Sequence, residues 1–133
     1  MTSPPNVTFS LKAWDEKPYN ELPGELKMTR SSVAYAYYGD IEGDSTLDYL
    51  MVYCEDGSGS FVGLERIIGR VAGRAGSFVL QHTGTFNKTD VDGTFFVVPH
   101  SGAGELTNLC GEGKISLSGH AERYPMIFDY NFE

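Results

Sequence analysis

The feature that most constrains the fold is a side-chain period of two. Leu47, Tyr49, Met51 and Tyr53 fall on one side of an extended chain, and Tyr124, Met126, Phe128, Tyr130 and Phe132 do the same. From Val7 to Ala13 apolar and polar residues alternate. Successive side chains of a strand point to opposite faces, so this spacing lines one face of a sheet and would scatter around a helix. Composition agrees. The 133 residues include 16 Gly, 8 Phe, 8 Tyr and 1 Trp. Glycine is poor in helix interiors, and aromatic side chains suit strands. Hydrophobic residues make up 41% and charged residues 21%, enough apolar material for one packed core in a chain of this length.

Turn signals cut the pattern into about eight strands, over 7–13, 28–38, 47–54, 60–71, 77–86, 93–98, 114–118 and 124–132. Residues 15–26 hold two prolines, a glycine and four acids and read as a loop. Residues 99–113 read as a Gly-rich loop with at most one helical turn, over 106–109. No long helix is expected. Eight successive antiparallel strands make an up-and-down barrel, with a β-sandwich as the alternative. Closure removes exposed edges, so the barrel is the expectation: one domain over 1–133 with a flexible N-terminus over 1–6.

The formal net charge of −8 argues against nucleic-acid and anionic-membrane partners, because nothing here would neutralise phosphates. The first residues carry no basic stretch followed by an apolar one, and no run approaches the length of a membrane span. Cys54 and Cys110 then read as free thiols in a reducing, cytoplasmic setting, and as small buried hydrophobes rather than nucleophiles. The two Asn-x-Thr triplets, at Asn6 and Asn87, carry no weight without secretion. There is no phosphate-binding loop, no dinucleotide fingerprint and no Gly-x-Ser-x-Gly elbow. Two acidic turns, 40–44 and 90–93, lack the closing glutamate of a calcium loop; Met51 and Ser101 stand there. His82, His100 and His120 lie in separate segments with no zinc-like spacing. No metal or cofactor is expected.

One constellation survives. With Arg74-Ala75 as the loop of the central hairpin, Ile67 lies opposite His82 and Glu65 opposite Gly84. Phe61, Gly63, Glu65, Ile67, Gly69 and Val71 then share a face with Phe78, Leu80, His82, Gly84 and Phe86. That face is apolar apart from Glu65 and His82. The opposite face carries Arg66, Arg70, Gln81, Thr83 and Thr85 and reads as solvated. A carboxylate inside an apolar barrel beside an imidazole suits general acid–base work, which makes Glu65 and His82 the candidate catalytic pair. The plainer alternative is that the two satisfy each other. Tyr49, Phe61, Ile67, Phe78, Leu80 and Phe86 are the candidate ligand contacts. Tyr35, Tyr37 and Tyr53 are weaker candidates for cavity hydroxyls. Glu105 and Glu112 are weaker candidates for a cavity rim.

Several segments together resemble a known family: Ala13-Trp14-Asp15-Glu16-Lys17-Pro18-Tyr19, Tyr49-Leu50-Met51, Asp56-Gly57-Ser58, Phe61-Val62-Gly63-Leu64-Glu65-Arg66, Gly76-Ser77-Phe78-Val79-Leu80-Gln81-His82 and 97–106. The chain is similar, from Phe9 onward, to a bacterial domain-of-unknown-function family whose fold resembles the allene oxide cyclase barrel, shared in outline by dirigent proteins. The resemblance implies an eight-stranded antiparallel barrel with a cavity. It also implies homo-oligomers, with outward Leu64 and Ile68 as surfaces to cover. It supplies no activity. Three functions follow as expectations: a barrel binding a small apolar or aromatic ligand, an isomerase or cyclase using Glu65 and His82, and a structural or interaction module with its interior filled by Phe61, Phe78, Phe86 and Phe95.

Overall fold

The computed structural model describes residues 4–133. Residues 1–3, part of the segment expected to be flexible, lie outside the described residues. Asn6 is tied down: its side chain donates to the Phe128 carbonyl at 2.8 Å and accepts from the Phe128 amide at 2.9 Å.

The described residues form nine strands: β1 (Val7–Asn20), β2 (Lys27–Gly39), β3 (Ile41–Tyr53), β4 (Gly59–Val71), β5 (Arg74–Phe86), β6 (Asp90–Val97), the two-residue β7 (Ala103–Gly104), β8 (Leu109–Ser118) and β9 (Tyr124–Phe132). Around the barrel the order is β1-β2-β3-β4-β5-β6-β8-β9, and every neighbouring pair is antiparallel. Val7–Phe9 of β1 pair with Tyr124–Met126 of β9 and close the ring, which rules out the sandwich. The short β7 adds to the start of β5 and belongs to the segment that caps one end. The described residues contain no helix, so none is long and apolar enough to cross a membrane.

The central hairpin turns at Ala72-Gly73, not at Arg74-Ala75 as the sequence suggested. Both turn residues have positive φ, 50° and 82°, the geometry that matches the twist of the flanking strands. Glu65 therefore faces Leu80, and His82 faces Gly63. The slip relative to the expected register is an even number of residues, so every side chain keeps its face.

Strand β1 runs through Asn20, well into the segment read as a loop. Its upper half pairs with β2 alone, because β9 reaches only as far as Phe9. An edge without a second neighbour tolerates Pro18. A bulge between Leu11 and Ala13 inserts one extra residue. Before it Val7 and Phe9 face inward. After it Trp14 and Glu16 do, opposite Val33 and Ser31. Likewise β8 starts at Leu109 within the expected Gly-rich loop, and 106–109 form turns rather than a helical turn.

Glycines within the strands give room to rings. A Cβ on Gly84 would lie 2.6 Å from the Phe61 ring, and one on Gly113 would run into the Phe95 ring. The interior forms two apolar clusters. The larger one, around Ile41, Ile67, Phe78, Leu80, Phe95 and Leu106, fills the end closed by the 98–108 segment. The smaller one, Val33, Leu47, Tyr49, Met51 and Phe61, lies toward the other end. On the outside Leu64 and Ile68 are 57% and 65% exposed, as their parity dictates. Cys54 and Cys110 are free thiols. Cys54 is exposed at a turn instead of buried, because β3 ends at Tyr53 and the cysteine falls outside the barrel wall.

Candidate functional site

Glu65 and His82 meet at the waist of the barrel, between the two apolar clusters. Glu65 has no exposed surface and His82 is 4% exposed. Diagonal placement across the β4–β5 pair brings His82 Nε2 to 2.8 Å from Glu65 Oε1. The other carboxylate oxygen, Oε2, accepts from Tyr37 OH and Ser45 Oγ, each at 2.6 Å. Tyr37 comes from β2 and Ser45 from β3, so four strands converge on one carboxylate. Burying a carboxyl group is costly unless its oxygens are hydrogen-bonded, and three partners do this here. Among the described residues no buried side-chain nitrogen or oxygen lacks a partner. Burial, followed by the Glu65 charge, holds the Tyr37 phenol well above its ordinary value.

A cavity of about 320 Å³ opens at the end of the barrel opposite the 98–108 cap. Its wall includes Phe9, Trp14, Tyr35, Tyr49, Phe61 and Phe86. Rings meet edge to face: Tyr49 and Phe61 have centroids 5.2 Å apart, and Tyr53 and Phe86 have centroids 5.1 Å apart. The cavity reaches sideways to Ile115 and Leu117 of β8. There β8 has only β6 as a neighbour, and β1 has only β2, so the barrel wall parts.

The cavity and the Glu65 cluster are adjacent but separate. Neither Glu65 nor His82 lines the cavity. Tyr49 stands between them, with its ring centroid 6.1 Å from that of His82. Burial, then the neighbouring Tyr35 phenol and the Glu65 charge, pushes the Tyr49 hydroxyl well up; burial and then Glu65 do the same to Tyr35. Both hydroxyls remain protonated far into the alkaline range.

Of the expected ligand contacts, Tyr49, Phe61 and Phe86 line the cavity. Ile67, Phe78 and Leu80 do not; they are packed in the closed half with 0–1% exposure. The reason is distance along the strands, which face parity does not encode. Tyr35 and Tyr53 reach the cavity, and Tyr37 serves Glu65 instead. Glu105 is not at the rim: it sits in the cap at the closed end, where its carboxylate accepts from the Ala75 amide at 3.0 Å. Glu112 faces outward on β8. A larger open groove, about 750 Å³, crosses the outer face of β2–β4 past Ser32, Thr46, Asp48 and Arg66, with Glu65 of the wall beneath it.

The sequence reading missed Trp14 and Glu16. Glu16, near the rim, accepts from Thr29 Oγ1 at 2.7 Å, from Trp14 Nε1 at 3.2 Å and from the Tyr53 hydroxyl. Partial burial alone would raise its carboxyl, but these hydrogen bonds and Lys27 outweigh it and lower the value. Burial, then Glu16, pushes Tyr53 up to about 12. The bulge hid both residues, since it breaks the period of two within β1. Among the described residues no three His, Cys, Asp or Glu side chains converge as a metal would require.

Residues 6–130 match the model of a family described as a protein of unknown function, DUF3224. A crystal structure of a DUF3224 protein of unknown function from Shewanella oneidensis MR-1 is 34% identical. The similarity covers 96% of this chain and 98% of that one, with a TM-score of 0.73. No curated protein matches the chain. Family match, identity and shared architecture agree, and the chain belongs to the DUF3224 family.

Proposed function

We propose that the protein binds a small apolar or aromatic molecule in the cavity at the open end of the barrel. The observation that carries this reading is the unequal filling of the interior. One half is packed solid around Ile67, Phe78 and Leu80, whereas the other half holds about 320 Å³ walled by rings. A concave, mostly apolar hollow with a few placed hydroxyls is the usual form of a small-molecule site, and this volume lies at the small end of such sites. A one- or two-ring molecule suits it. The resemblance to the allene oxide cyclase barrel, an apolar container, supports the same reading by analogy only.

Acid–base chemistry through Glu65 and His82 is the weaker reading. A general acid or base has to come within hydrogen-bonding reach of its substrate. Both oxygens of Glu65 are engaged, and Tyr49 screens the pair from the cavity.

Trp14 is the only tryptophan and lies on the cavity wall. Titration with an uncharged bicyclic probe such as 2-naphthol should change its emission saturably. Val91, half-buried on the same wall, offers a block: Val91→Phe should remove the response at a stability cost of no more than about 1–3 kcal/mol. Absence of a saturable response in the wild type, or an unchanged response in the variant, would count against the reading.

A further inference from the structure

We propose that the cavity selects its ligand by charge: the buried end of the ligand is a neutral hydrogen-bonding group or an amine, and a carboxylate is refused at that depth. This rests on the cavity being a binding site, as proposed above.

Three independent observations point the same way. The first is the lining. Among the described residues no lysine, arginine or histidine is on the cavity wall, which consists of rings, apolar side chains, Gly57 and Asn87. An anion carried inside would lose its hydration and meet no opposite charge. The second is what stands behind the wall. Tyr35 and Tyr49 are the inner polar groups, and the buried Glu65 carboxyl lies just beyond them, held by Tyr37, Ser45 and His82. The phenols keep their protons, so they offer O–H donors to a carbonyl or hydroxyl and lone pairs to an ammonium. The third is the wall itself. Ring faces carry partial negative charge and attract cations. The protein already uses this at the rim, where Lys27 Nζ lies 5.6 Å from the Tyr53 ring centroid.

The charges near the rim are mixed. Glu16 is bonded to Trp14 and Tyr53, which line the cavity. Lys27 lies over Tyr53, and the stem of Lys88 packs over Gly57. An acidic group on a long ligand is therefore tolerated only at the rim, where water and these lysines reach it. A rigid short ligand has no such escape, and it is the form that tests selection by the interior.

The experiment uses three probes of one shape: 2-naphthalenemethanol, 2-naphthylmethylamine and 2-naphthoate. Each is titrated by calorimetry into the wild-type protein and into Val91→Phe at neutral pH, with Trp14 emission as a second readout. Expected are alcohol and amine affinities at least about tenfold above that of the carboxylate, a gap of about 1.4 kcal/mol, all lost in the variant. A carboxylate bound within tenfold of the alcohol, and displaced by Val91→Phe, would overturn charge selection and leave the binding site standing. If no probe binds, or if binding survives in the variant, the binding site itself falls and charge selection falls with it.

Discussion

Glu65 organises the waist of the barrel. Its carboxyl group is the meeting point of Tyr37, Ser45 and His82, and the three contacts tie β2, β3 and β5 to β4. A hydrogen bond to a charged group contributes about 1.5–3 kcal/mol, so Tyr37→Phe should lower unfolding stability by about that amount in a urea titration. A loss below about 0.5 kcal/mol would mean that the cluster does not hold the strands. The buried tyrosines add a pH dependence. Burial raises Tyr35, Tyr37 and Tyr49 above the ordinary phenol value of about 10. The folded state therefore binds their protons more tightly than the unfolded chain does. Their contribution to stability is complete below about pH 10 and is lost as the pH rises toward the folded-state values. In an alkaline titration their phenolate absorbance should appear together with the loss of β structure. Ionisation of all eight tyrosines near pH 10 in a still-folded protein would contradict this burial.

At the scale of elements, what could be read in advance depended on parity. The pairing of Glu65 with His82 was legible because both lie on the inner face of their strands, and an even slip of register preserves faces. The turn itself was misplaced. Gly73-Arg74-Ala75-Gly76 looks like a loop between glycines, yet the chain turns two residues earlier at Ala72-Gly73. Ala72 there has φ of 50°, which costs a residue with a side chain more than it costs glycine. Ala72→Gly should therefore raise stability by about 0.5–1 kcal/mol, read as an increase in melting temperature; a decrease would contradict the assigned turn. Trp14 and Glu16 were not legible, because one extra residue at the bulge exchanges the faces of β1 and no propensity marks where it falls. The exposed upper edge of β1 is blunted against strand addition by that bulge, by Lys12 and Lys17 and by Pro18.

At the scale of the whole molecule, the sequence foretold a closed eight-stranded barrel but not how its interior is divided. Alternation says which side chains face inward. It does not say which of them crowd together and which stand back, because that depends on strand tilt and on the segment folded over one end. Phe78 and Phe86 lie on the same face of β5, yet Phe78 is sealed in the packed half and Phe86 lines the cavity. The strand glycines are not where the space lies; Gly84 and Gly113 are covered by the rings of Phe61 and Phe95. The cavity arises where the wall parts between β1 and β8, at the end away from the 98–108 segment, and its small volume sets the size of what it can hold. Binding inside that cavity is the central claim. Its most direct test is a crystal of the protein soaked with bromobenzene and measured at the bromine absorption edge. Anomalous density among Tyr49, Phe61, Phe86 and Ile115 is the predicted result; density confined to the outer grooves, with the cavity empty at saturating probe, would contradict it.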